Sequence, residues 1–238
     1  MLGRVRRRGA FVPPGPARRA LLLSLGINGL LAWAVVLGVY TFLERVWRGV
    51  GDRFLAQPLA EHLAQVELAR RLQGLAWLLT AVLFLLWLYR VYANLAVLGA
   101  SRLRFSPRWA VGTFLVPGVN LLWPFLVIRE VWNASDPRGS GETGGRPPTS
   151  PRVAWWWITF VLASLLDPGF WRVVEDTAAR LDAGGFTPSF VLAQLAEMAA
   201  AVLAITVVRE IDRRQASAWA GAPLAGPSPG SCPSFITA

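Results

Sequence analysis

The sequence predicts an all-α integral membrane protein of four transmembrane helices plus a proline-broken re-entrant or interfacial helical hairpin, with five spans as the alternative. Three observations carry this. The 238 residues are 54% hydrophobic, with a mean hydropathy of +0.44, outside the range of soluble domains. Long uncharged runs alternate with short arginine-rich ones. The central apolar stretch, Trp109 to Trp132, is split by Pro117-Gly118 and by Pro124.

The formal charge of +10 comes from arginine alone, because the chain has no lysine. A basic balance can signal nucleic-acid binding. Here the arginines flank apolar segments and form no single polar face, so the expected partner is a lipid bilayer and no nucleic acid. Cys232 and His62 are the only residues of their kinds. Within one chain that excludes disulfide frameworks, Cys/His zinc sites, Cys–His nucleophiles and the two-histidine zinc-protease pattern. SGETGG at Ser140 lies in a linker with no strand before it, so no phosphate loop is read there. No catalytic set, metal or cofactor is expected, and the chain is not read as an enzyme.

Residues 1–19 form a basic, Pro/Gly-broken tail placed in the cytoplasm. The membrane domain is expected over 20–214. Its first span, 20–43, is charge-free over about 36 Å of helical rise, too long for a signal-peptide core. Leu55, Leu59, Leu63 and Val66 recur at helical spacing, so 54–71 reads as an amphipathic helix with His62 at its edge. The second span, 72–89, lies between Arg71 and Arg90. Ser106-Pro107, Ser150-Pro151 and Thr187-Pro188 each combine a capping residue with a proline suited to a first helical turn. They mark the hairpin, 107–133, and the spans 151–167 and 188–208. A second amphipathic helix is expected at 170–182 and a disordered tail at 215–238.

The central stretch has the length of a span, but Pro117 and Pro124 each remove a helical hydrogen bond and Gly118 permits a reversal. Arginine excess marks the cytoplasmic side. If the stretch crosses, 12 arginines fall on each side; if it turns back, 17 are cytoplasmic and 7 are outside. Turning back obeys the rule, with the N-terminus in the cytoplasm.

The run WLYRVYANLAVLGASRLRFSPRWAVGTFLVPGVNLLWPFLVIREVWNASDP, Trp87 to Pro137, closely resembles the signature of a bacterial membrane family, domain of unknown function 4328. VVREIDRRQ, Val207 to Gln215, is similar to that family's closing element. The resemblance extends over roughly Leu72 to Gln215. It implies a multi-span protein of the bacterial plasma membrane and carries no activity with it.

Two sets of residues are functional candidates. Glu197 lies near the midpoint of the last span, where a carboxylate must face the bundle or water. Asn28, Asn120 and Gln194 are its candidate partners, and small residues around it predict close helix packing. Arg90, Arg102, Arg104, Arg108 and Arg129, with Asn94 and Glu130 beside them, could hold an anionic headgroup or a protein partner on the cytoplasmic face. Their plainer role is anchoring the topology; that of Glu197 is a packing hydrogen bond. Two functions follow: a membrane interaction or sensory scaffold binding anionic lipid or another membrane protein, or a small proton- or ion-coupled permease or channel subunit using Glu197 and the broken hairpin. Either admits an oligomer.

Overall fold

The computed structural model describes residues 11–13, 15–48, 56–100, 103–116, 118–136, 150–167 and 188–221. Among these residues the chain is all-helical, in the order α1 (Gly15–Arg48), α2 (Ala56–Val97), α3 (Pro107–Gly112), a 3-10 turn (Val119–Leu121), α4 (Trp123–Ala134), α5 (Pro151–Leu166) and α6 (Pro188–Ala220). Three of these helices, α1, α2 and α6, are long and apolar enough to cross a membrane; α5 is apolar but shorter, at 16 residues.

The expected amphipathic helix 54–71 and span 72–89 are one helix of 42 residues. The charges at Glu67, Arg70 and Arg71 change what the helix faces, yet Glu, Arg and Gln are good helix formers and give the backbone no reason to break. The helix ends where the sequence permits a left-handed residue. Gly99 has φ +94; its N–H donates to Ala96 O and that of Ala100 to Leu95 O, the paired bonds of a glycine C-cap. The last helix likewise runs to Ala220, into the tail expected to be disordered. The expected helix at 170–182 and Cys232 lie outside the described residues.

Side-chain bonds set the helix directions. Asn28 of α1 meets Ala76 and Thr80 of α2, while Val12, just before α1, meets Asn94, so α1 and α2 are antiparallel. Gln73, Trp87 and Asn94 of α2 meet Gln194, Asp212 and Gln215 of α6 in turn, so those two are parallel. The C-terminal part of α5, Phe160 to Asp167, lies level with Gln73 and Gln194. Nearer its start, Trp156 stands 5.9 Å from Phe84. α5 therefore runs against α2 and α6.

Most of the core lies at the α2 C-terminal end, where Trp87, Tyr92, Ile128, Val131, Val153 and Ile211 are buried together. A smaller cluster, Val35, Val39, Val66 and Phe190, closes the other end. There α1 and α2 touch closely: a Cβ on Gly38 would stand 3.0 Å from Val66 Cγ2. Exposed leucines such as Leu23, Leu30 and Leu37 on α1 and Leu75, Leu78 and Leu86 on α2 face outward. Amides and hydroxyls face inward, the arrangement in which packing and interhelical hydrogen bonds, not water exclusion, hold helices together.

The segment between α2 and α5 holds α3, the 3-10 turn and α4. Ser106 Oγ accepts from Trp109 N at 3.2 Å and Pro107 opens α3. Gly118 takes φ +80, which a residue with a Cβ rarely adopts. Pro124 sits in the first turn of α4, where its missing N–H would have had no helical partner, so it starts a helix and interrupts none. Pro117 lies outside the described residues. The two ends then meet: Arg104 N donates to Glu130 Oε1 at 2.7 Å, and the Tyr92 hydroxyl lies between Phe105 N and Glu130.

Candidate functional site

Two polar layers join α2 to α6. In the first, Gln73 Nε2 donates to Gln194 Oε1 at 2.7 Å and to Glu197 Oε2 at 2.8 Å. In the second, Asn94 Nδ2 donates to Gln215 Oε1 at 3.4 Å, and Gln215 Nε2 donates to Val91 O and Ser135 Oγ. Each helix advances 21 residues between the layers, from 73 to 94 and from 194 to 215. At 1.5 Å per residue that is about 32 Å, close to the roughly 30 Å of a bilayer's hydrocarbon core. Between them Trp87 Nε1 donates to Asp212 Oδ1 at 3.1 Å, with Arg18 Nε 3.8 Å from the other carboxylate oxygen.

The first layer contains Glu197. Its partner is Gln73, which was not among the expected partners. That layer lies about two turns beyond the cluster of Val66 and Phe190, toward one end of the bundle and away from the midpoint of its helix. Gln194 joins Glu197 through Gln73; Asn28 and Asn120 are placed elsewhere. Asn28 Nδ2 donates to Ser24 O, Ala76 O and Thr80 Oγ1 inside the α1–α2 pair. Asn120 is exposed on the 3-10 turn. Thr80 is the sole threonine in the uncharged run 72–89, a signal that could have marked it as the amide's partner.

A cavity of about 350 Å³ opens beside the first layer. Its walls include Arg70, Gln73 and Trp77 of α2, Phe160 of α5 with Asp167 at its cap, and Gln194 and Glu197 of α6. Small residues let these helices approach: Ala193, Ala200, Ala201 and Ala204 are buried on α6. Among the described residues no group of three His, Cys, Asp or Glu could hold a metal ion.

The opposite end carries the arginine set. Arg90, Arg104 and Arg108 are exposed, and no carboxylate pairs with them among the described residues. Arg129 lies over the Phe125 ring at 5.7 Å. Arg102 lies outside the described residues. Glu130 is used by backbone and phenol, through Arg104 N and Tyr92, and Asn94 is buried in the second layer. By contrast Arg213 and Arg214 are paired with Glu210, and Arg214 also stacks on Trp132 at 4.2 Å. No role was expected for the inward-facing Asp212 and Gln215, because the last span was expected to end at 208 and the disordered tail to begin at 215. Their spacing of three residues from each other, both facing Trp87 and Asn94, was the available helical signal.

No curated protein and no solved structure gives a significant match to the chain. Residues 57–213 match the family described as a domain of unknown function (DUF4328), a range that takes in α2 to α5 and most of α6. The chain belongs to that family.

Proposed function

We propose that the protein is a multi-pass scaffold of the bacterial plasma membrane that holds an anionic lipid headgroup, or the acidic surface of another membrane protein, at its arginine-bearing end. The observation that carries this reading is the trio Arg90, Arg104 and Arg108, exposed and without carboxylate partners among the described residues, Arg90 near the end of α2 and the other two on the segment tied to Tyr92 and Glu130. Structural arginines in this chain, such as Arg214, stack and pair; these three do neither among the described residues. Each would add about 1 kcal/mol of attraction near an anionic surface.

The topology behind it is four crossings, by α1, α2, α5 and α6, with 107–133 dipping into the lipid and returning. Two observations support that reading: α5 runs antiparallel to α2, and Arg104 N donates to Glu130. Arginine excess then puts this end, and the N-terminus, in the cytoplasm.

The test is lipid retention. The full chain purified in mild detergent from a mixed-lipid membrane should keep phosphatidylglycerol, and Arg104→Gln with Arg108→Gln should lose most of it, more so at high salt. Equal retention by wild type and double variant would refute the reading. A second reading, a proton- or ion-coupled permease subunit, draws on Glu197 lining a cavity. It requires a flux in proteoliposomes that Glu197→Gln abolishes.

A further inference from the structure

Asp212, Gln215 and Trp219 share one face of α6, and the residues around the start of α1 meet that face at successive levels. Phe11 stacks on Trp219, with ring centroids 5.2 Å apart. Val12 N donates to Asn94 Oδ1 at 3.3 Å while Asn94 Nδ2 donates to Val12 O at 3.0 Å. One side-chain amide thus reads both polar atoms of one backbone residue, and its nitrogen also reaches Gln215 Oε1. In the first turn of α1, Arg18 Nε stands 3.8 Å from Asp212 Oδ2.

This last level is incomplete. Arg18 Nε and Asp212 Oδ2 are both buried, and neither has a hydrogen-bond partner among the described residues. They are a donor on a cation and an acceptor on an anion, about 1 Å too far apart for a charge-assisted bond. A buried pair held short of contact is unfavourable, so other contacts must hold the start of α1 in place. Those immediately before it are the contacts of Phe11 and Val12.

These contacts can be exchanged at low cost. Val12 is 50% exposed and Trp219 40% exposed, and both bonds to Val12 are only part-buried. Losing them leaves Asn94 its bond to Gln215. Redocking is easy as well. Val12 and Pro13 each precede a proline, which biases both toward extended backbone, and the segment stays tethered to α1.

We infer that residues 11–13 and the Arg18–Asp212 pair form a two-position latch at this end of the bundle. In one position the strap of residues 11–13 is docked on Asn94 and Trp219 and the ion pair is open. In the other the strap is free and Arg18 closes on Asp212. Release bares Asn94 and Trp219, and exposed Arg90 lies one turn before Asn94 on α2. The latch uses neither Arg104 nor Arg108, so it stands apart from the anionic-headgroup reading.

Hydrogen exchange of the full chain in detergent, read at the Val12 amide by NMR, tests it. Phe11→Ala weakens the docked position, and exchange at Val12 should rise about tenfold as the aromatic stack is lost. Arg18→Met keeps the apolar stem but removes the donor, so the free position loses its bond and exchange at Val12 should fall severalfold. Asp212→Asn, which keeps an acceptor for Trp87 Nε1, should also slow it. A merely structural role for the pair predicts the opposite sign, because looser packing speeds exchange. Wild-type exchange in Phe11→Ala, or unchanged or faster exchange at Val12 in either folded variant of the pair, would overturn the proposal.

Discussion

The Tyr92 hydroxyl donates to Glu130 at 2.8 Å while accepting the backbone N–H of Phe105 at 3.0 Å. One phenol on α2 therefore clasps both the entry and the exit of the proline-split segment. Removing it with Tyr92→Phe leaves a carboxylate and a backbone N–H short of one partner each, at a cost of about 1–2 kcal/mol. The expected outcome is a lower melting temperature in detergent and faster proteolysis at the hairpin. Glu130→Gln keeps one acceptor oxygen, for either the phenol or Arg104 N, and turns an amide nitrogen toward the other donor, so it should cost a similar amount. An unchanged melting temperature in Tyr92→Phe would show that the phenol is not the clasp.

Gln215 is 1% exposed and bonds three residues on two elements: Asn94 and Val91 of α2, and Ser135 at the end of α4. Gln215→Leu keeps the volume but leaves Val91 O and Ser135 without that donor. A loss of about 2–3 kcal/mol is expected, read as a shift in unfolding midpoint. Gln215→Glu should do comparable harm, since an ionised carboxylate can accept but cannot donate to Val91 O.

Asn28 and Thr80 couple α1 to α2 within their apolar stretches. Double-mutant cycles on interhelical bonds in membranes average about 0.6 kcal/mol and reach roughly 1.7. An Asn28→Ala, Thr80→Ala cycle should give a coupling in that range, because Thr80 keeps Ala76 O as an alternative partner. A coupling near zero would mean that the bond to Ala76 O alone holds Asn28.

Trp157 donates its indole N–H to Leu121 O at 3.1 Å, which ties the 3-10 turn to α5. Trp157→Phe should free the turn for about 1 kcal/mol and raise hydrogen exchange over 118–122 without altering α2. Unchanged exchange there would remove this contact from the account.

The apolar runs were legible because leucine-rich stretches between flanking arginines mark them in the sequence. One cap was legible, Ser106 on Trp109 N, and prolines open α3, α5 and α6; Ser150 makes no side-chain cap bond, and Thr187 lies outside the described residues. What escaped was pairing. Glu197 could be picked out from sequence as a buried charge, but its partner Gln73 is 124 residues away and lies beside Arg71, where a glutamine looks like ordinary boundary polarity. The continuity of α2 through Arg70 and Arg71 escaped for a related reason: charge marks where the environment changes, and the helix crosses that change unbroken.

The account depends on the segment between α2 and α5 beginning and ending on one face of the membrane. Cysteine accessibility in intact cells tests this most directly, using Cys232→Ser with a single reporter, Arg19→Cys, Gly51→Cys or Gly144→Cys. An impermeant maleimide should label the reporter at 51 from outside, and should reach those at 19 and 144 only after the membrane is opened. Labelling at 144 from outside, with 19 still protected, would contradict it.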